Sequence, residues 1–303
     1  MNMAVEISAT LVKELRDETG AAMMDCKKAL VEAGGDKEKA REILRARGVA
    51  VANKKAARAT SEGLVVAAIA ADGKSGAIAE VNCETDFVAR NEEFGGLAKE
   101  IVNVALQNKA KDVDTLLGQK LGGHTVKEEI TTKVAKTGEN MGVRRVTFYN
   151  VDGAGIVGSY VHALGGKMGC LLELKGTKEP SNKDEAQAFV RELAMHITSA
   201  KPQYVNRNEI PADVVENERR IEKDRDDLKG KPENIRDKIV EGRVDKLMAE
   251  RCLLDQAFIK DPSKTIKQLL DEKGKAWGTE LTPTRFALYI LGEDQGPPEQ
   301  TET

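Results

Sequence analysis

Aromatic residues are scarce in this chain: six Phe, four Tyr and one Trp among 303 residues. That supply does not furnish the stacking platforms on which single-stranded nucleic acid is laid. A surplus of charge is missing too. Lys and Arg number 47 against 50 Asp and Glu, a formal net charge of −3. Such a balance lacks the basic surface that displaces counterions from a phosphate backbone, so direct nucleic-acid binding is not expected. The four cysteines, Cys26, Cys83, Cys170 and Cys252, stand singly among apolar neighbours. Without a CxxC pair neither a zinc ribbon nor a thioredoxin-type site is supported, and each thiol reads as a small buried hydrophobe. No apolar run approaches the ~18 residues of a membrane span. The beginning, "MNMAVEISATLVKELRDETG", has no basic segment leading into an apolar one and carries acids early, unlike a secretory signal or a transit peptide. A reducing cytoplasm is the compartment these absences indicate.

What is present is length enough for two or three modules and a clear helical and strand patterning. Residues 8–48 read as three short helices. The first is broken at Thr19–Gly20, the second carries Met23, Cys26 and Leu30 on one face, and the third starts at the N-cap Asp36 and ends at Gly48. Residues 50–63 form a basic, small-residue linker, helical or flexible. Two strand-like runs flank Asp72–Gly73, a hairpin signal. Asn91 caps a helix with Phe94, Leu97, Ala98, Ile101 and Ala105 on one face, and another helix covers 125–137. Three strands separated by glycine-rich turns occupy 143–175, and a helix covers 181–200. The charge-dense stretch 205–250 reads as an antiparallel helical hairpin joined at "KGKP". A short helix from "PSKTIKQLLDEKG" and a last strand "TPTRFALYILGE" follow, and the polar tail from Asp294 is expected to be disordered. The class is α+β, with small sheets and helices on one face.

Most chemistry-bearing patterns dissolve on inspection. "GAGIVG" places Gly153, Gly155 and Gly158 at dinucleotide-fingerprint spacing, but "SYVH" follows, which reads as strand where that site needs a helix N-terminus. "DGKSG" resembles the end of a P-loop, yet residue 68 is Ala where its first Gly belongs. His124, His162 and His196 have no metal-ligand spacing. His196 lies between core positions Leu193 and Ile197, whereas His162 could face a partner. Glu92–Glu93 occupy a first helical turn, where acids favour the macrodipole. Two features resist dismissal. Met23 and Met24 are adjacent on a helix, about 100° apart, and cannot both point at one small core: either one is an adaptable outward contact or linker residues bury both. Phe87 is either a core plug or, beside the acid Asp86, a ring held at a rim.

"LRDETGAAMMDCKKAL" (15–30) and "EVNCETDFVAR" (80–90) resemble the two signatures of the translation elongation factor Ts family, the guanine nucleotide exchange factors of elongation factor Tu. The likeness continues in order through "GENMGVRRV", "GSYVH", "AMHITSAKPQY", "PSKTIKQLL" and "RFALYILGE". Ala22 stands where Gly is commoner. Some members continue into a further helical module; this chain ends in "DQGPPEQTET", so that contact is not expected. The resemblance implies a ubiquitin-associated-like three-helix module over 1–52, a core N-subdomain over 53–140, a core C-subdomain over 141–200 and 251–293, an inserted helical hairpin over 201–250 and a tail over 294–303. It further implies that Thr85, Asp86, Phe87 and Val88 wedge into the partner's nucleotide domain and dislocate its Mg²⁺. Arg16, Met23 and Met24 would touch the same domain, and His162 would face the partner from the core. No cofactor, metal or covalent chemistry of its own is implied. A homodimer through the hairpin or core stays open. So do two rivals, a dinucleotide-dependent oxidoreductase and an assembly protein built on the hairpin.

Overall fold

A computed structural model describes residues 7–293. The expected tail, 294–303, lies outside the described residues, as do the first six. Contacts gather the described chain into two units, one of 7–66, 79–147 and 291–293, the other of 67–78 and 148–290.

The first unit begins with three helices, α1 (Ala9–Thr19), α2 (Met23–Glu32) and α3 (Lys37–Lys55). The Ser8 hydroxyl caps α1 by accepting from Leu11 N–H, and Gly20, in the left-handed region, ends it by donating to the Arg16 carbonyl. Asp36 accepts from the N–H groups of Glu38 and Lys39 and so starts α3. Val12, Leu15, Cys26, Ala29, Leu30 and Ala40 form the shared core. Gly48 does not end α3. It is buried in mid-helix, where an added Cβ would meet Ala135 at 3.4 Å.

The strands β1 (Glu62–Ile69) and β2 (Ser75–Cys83) follow, then α4 (Asp86–Ala89), α5 (Glu92–Asn108), α6 (Val113–Gly118), the hairpin β3 (Lys120–Leu121) and β4 (His124–Thr125), α7 (Val126–Thr137) and β5 (Met141–Asn150). The sheet order is β1-β2-β5. Ala135 belongs to α7, so Gly48 is where α3 lies against that helix. The fully buried carboxylate of Glu80 on β2 is tolerated because it is paired: Arg145 Nε donates at 2.7 Å, Gly292 N–H at 3.0 Å and Asn82 Nδ2 at 3.2 Å. The elements α6, β3 and β4 escape sequence reading because none is long enough to show a period.

The second unit contains β6 (Gly155–Val161), β7 (Met168–Gly176), α8 (Lys183–Ala200), α9 (Ala212–Lys223), α10 (Glu233–Arg251), the short pair β8 (Ala257–Phe258) and β9 (Asp261–Thr265), α11 (Ile266–Trp277) and β10 (Leu281–Ile290). Its antiparallel sheet runs β10-β7-β6. Pro283 sits at a bulge of the edge strand β10, where its missing N–H is harmless. The core gathers Leu172 and Leu174 of β7, Phe189, Val190 and Leu193 of α8, and Trp277 of α11. The expected helix from Pro262 begins only at Ile266. Residues 261–265 pair with β8 instead, and Thr265 and Gln268 close a capping box at the helix start. The hairpin α9–α10 has its own apolar cluster of Leu228, Val240, Val244 and Met248. Arg219 donates to Glu241 across it at 2.6 Å, and Arg243 holds the Asp227 carboxyl down at about 2.

His196 is fully buried on α8. Its Nε2 lies 2.9 Å from Gln256 Oε1, and its Nδ1 accepts from Ile259 N–H at 3.3 Å. Burial outweighs the Gln256 bond and lowers its pKa below the ordinary 6.5. Below 6.5 the unfolded chain therefore takes up a proton that the folded chain refuses, so stability falls with pH until the lower folded value is reached. Urea melts at stepped pH should show this slope in the wild type, and His196→Gln should remove it. An unchanged slope in the variant counts against the assignment.

Candidate functional site

The segment after β2 turns sharply at Thr85. Its backbone is extended, and its hydroxyl accepts from Val88 N–H at 3.4 Å, capping the single turn of α4. Asn91 then caps α5 by accepting from Glu93 N–H at 2.8 Å. Within this short helix the side chains divide sharply. Ala89 is buried and Val88 half-buried, but Phe87 is 83% exposed. Phe94, buried on α5, closes the apolar interior in its place. The core-plug reading of Phe87 therefore does not describe this structure. An apolar ring left in water is unfavourable for the isolated chain, and a ring on a capped turn is poised to be covered by something else. The neighbouring Asp86 pairs with Arg90 at 2.9 Å, a surface pair of small worth whose carboxylate stays exchangeable.

Cys83 lies beneath the turn. Its thiol donates to the Thr85 carbonyl at 3.2 Å, and burial pushes its pKa up to about 12. It is a structural thiol and no nucleophile at neutral pH. Glu139, from the turn after α7, accepts from both the N–H and the hydroxyl of Thr85, at 3.1 and 2.8 Å.

The other expected positions are distributed over both units. Met23 and Met24 open α2 and are both exposed, 50% and 61%. The 100° spacing of adjacent helical residues required only that one of them leave the core. The core of the three helices needs only Cys26, Ala29 and Leu30 from α2, so the first turn is left free. Arg16 is exposed in the last turn of α1. In the second unit His162 follows β6. Its N–H donates to Met168 O at 2.9 Å, and its ring meets Tyr160 edge-on with centroids 6.4 Å apart. Two residues further, Leu164 stands 83% exposed in the β6–β7 turn. The strand-like run "IVGSYVHAL" of the sequence includes it, but β6 ends at Val161. The signal that would have found it is the pair Gly165–Gly166, both at positive φ, which places Leu164 in the turn.

The model of the family described as Elongation factor TS matches residues 84–293. This chain belongs to the elongation factor Ts family. Relatives of that name show the likeness along nearly the whole length. The one from Trichlorobacter lovleyi is 43% identical over 291 residues, 95% of this chain and 93% of its own. One from Clostridium perfringens is 45% identical over 288 residues, with the same two shares. One from Nostoc punctiforme is 45% identical over 296 residues, again covering 95% and 93%. As a member of the elongation factor Ts family the chain has a translation elongation role. The matched span contains Thr85–Val88 and His162, whereas Arg16, Met23 and Met24 precede it. Among the described residues no cluster of three or more His, Cys, Asp or Glu is arranged to hold a metal ion, and no helix is long and apolar enough to cross a membrane. The glycines of "GAGIVG" lead into β6 instead of a helix, so the pyrophosphate seat of a dinucleotide site has no helix N-terminus there.

Proposed function

We propose that this chain is a cytoplasmic guanine nucleotide exchange factor: it binds the GDP complex of elongation factor Tu, disturbs the Mg²⁺ and phosphate site, and promotes GDP release so that GTP can bind. The observation that carries the reading is the exposed ring of Phe87 on the capped turn Thr85–Ala89. Inserted between helices of the partner, a ring of this size gains roughly 1.5–3 kcal/mol on leaving water. That gain is available only in the conformation that opens to admit it. If this is the conformation that holds Mg²⁺ and GDP badly, the ring's burial is coupled to nucleotide loss. Removing the cation that neutralises the phosphates weakens GDP further. Asp86, beside the ring, brings a carboxylate toward the same phosphates.

The coupling is reciprocal: whatever the factor takes from GDP affinity, nucleotide takes from the factor's affinity. Exchange therefore needs no covalent step by this chain. It needs a ternary complex that forms and resolves, with GTP entry releasing the factor. Met23 and Met24 suit the second contact, because unbranched thioether side chains adapt to a surface that changes shape. Arg16 adds a charge on the same helical module. His162 and Leu164 supply a contact from the second unit.

Fluorescent-GDP release from elongation factor Tu, with and without this chain, is the direct test. Acceleration over the spontaneous rate is expected. The double variant Met23→Ala/Met24→Ala should raise the half-saturating factor concentration about tenfold, the effect of losing more than ~1 kcal/mol of interface contact. Release no faster than the spontaneous rate at saturating factor would remove the exchange reading.

A further inference from the structure

Phe87 is so exposed that the rest of the protein hardly touches it, and a four-residue helix has no stability of its own. At the N-terminal end of the turn the ring is aimed through the cap residue, Thr85. That residue is gripped on every polar atom it has. Its N–H and hydroxyl both donate to Glu139, at 3.1 and 2.8 Å. Its carbonyl accepts from the Cys83 thiol at 3.2 Å and from Ala89 N–H at 3.2 Å. Its hydroxyl oxygen accepts in turn from Val88 N–H.

Glu139 is itself held in place. Gly138, in the left-handed region at φ 75, turns the chain out of α7, and its carbonyl accepts from the Lys55 ammonium at the end of α3. Glu139 N–H donates to the Thr137 hydroxyl at 3.2 Å. Asn140 N–H donates to Glu84 at 2.6 Å, and the Asn140 amide donates to the carbonyls of Arg58 at 2.9 Å and Ala56 at 3.4 Å. The turn 138–140 thus brackets two elements at once, the C-terminal end of the three-helix array and the start of α4.

We propose that Glu139 is the positioning residue for the Phe87 ring: through its paired bonds to Thr85 it pre-sets the capped turn, so that the ring enters the partner without the segment first having to be ordered. The inference rests on the exchange reading and deepens it. Pre-ordering removes an entropic cost that binding would otherwise carry. Nothing in the role requires Glu139 to touch the partner. A carboxylate is suited because both Thr85 groups donate. A glutamine can still satisfy them, since the hydroxyl oxygen can accept from the amide while the amide oxygen accepts from Thr85 N–H.

The test is a double-mutant cycle in the fluorescent-GDP release assay, with thermal melts alongside. Glu139→Ala should lower the maximal release rate on the order of tenfold, and Glu139→Gln should restore it to within about twofold. In a Phe87→Ala background Glu139→Ala should change the rate by less than about twofold, because the ring it aims is gone. General structural damage would instead lower both backgrounds by the same factor, and that result, or a wild-type rate for Glu139→Ala, overturns the proposal. Should Glu139→Ala melt as an unfolded chain, Thr85→Val breaks the same hydroxyl bond from the other side. It should show the same background-dependent loss, and a background-independent one overturns the proposal equally. The outcomes separate cleanly from the reading beneath: Phe87→Ala at wild-type speed removes the ring's role, whereas a slow Phe87→Ala with a fast Glu139→Ala removes only the positioning role.

Discussion

Phe87→Ala is expected to slow factor-stimulated GDP release from elongation factor Tu by about 10- to 100-fold, since ~1.5–3 kcal/mol of burial is lost at tenfold per 1.36 kcal/mol. The same change should leave the factor folded. In the free chain the ring is 83% exposed, and substitutions of that kind usually shift stability by about ±0.5 kcal/mol or less. The alternative for a large aromatic residue is a loss of ~3–5 kcal/mol when a buried ring is truncated. The two cases are far enough apart for a thermal melt and a stopped-flow trace on one sample to decide. Stimulation by the variant equal to that of the wild type would show that the ring is not the element that opens the nucleotide site. The division between Phe87 and its neighbours sharpens the expectation. Ala89, Phe94 and Cys83 are the side chains that close the interior here, so truncating Phe87 opens no cavity.

Gly158→Ala should be among the most destabilising single substitutions in the second unit. An added Cβ would sit 2.0 Å from Val190 Cγ1, 3.1 Å from Val190 Cβ and 3.3 Å from the Val190 backbone carbon. Val190 cannot swing away. It is β-branched, in mid-helix and fully buried, and in a helix such a side chain has essentially one rotamer. The helix α8 would have to lift from β6 and open the core it shares with β7. Overpacking of this kind costs ~1–3 kcal/mol or more, a fall in melting temperature of about 3–10 °C for a domain of this size. Adding Val190→Ala should recover part of the loss, because the clash and its relief are one contact. An unchanged melting temperature for Gly158→Ala would contradict the packing. The result also bears on the sequence pattern in which Gly158 was the third glycine of a phosphate-binding fingerprint. The glycine is required, but for a helix to approach a strand, and no helix N-terminus opens at this place.

Several elements were legible because their causes are local. Asn91 and Asp36 announce helix starts by side-chain capping, and both caps form as expected. The Asp72–Gly73 turn forms between β1 and β2, with Gly73 at φ 71 and the Asp72 carboxylate accepting from Lys74 N–H. The charge-dense stretch 205–250, broken at "KGKP", gives α9 and α10. Other features depended on neighbours distant in the chain. Gly48 reads locally as a helix stop, and Ala135 decides that it is a contact point instead. Pro262–Thr265 reads as part of a helix, and pairing with β8 decides that it is strand.

The candidate site divides along the same line. Local patterning indicated the α+β class, motif order indicated the family, and the resemblance named the side chains to watch: Arg16, Met23, Met24, Thr85, Asp86, Phe87, Val88 and His162. Those are properties of a string, since capping, periodicity and motif order are read within a few residues. Whether Phe87 faces inward or outward could not be read that way, because an apolar residue beside a capped turn is compatible with either. The fold decided it by filling the interior with Phe94 and Ala89 and by clamping Thr85 with a carboxylate 54 positions further along the chain. Burial and long-range hydrogen bonds are settled by competition among all side chains for one interior, and that competition exists only once the chain has folded.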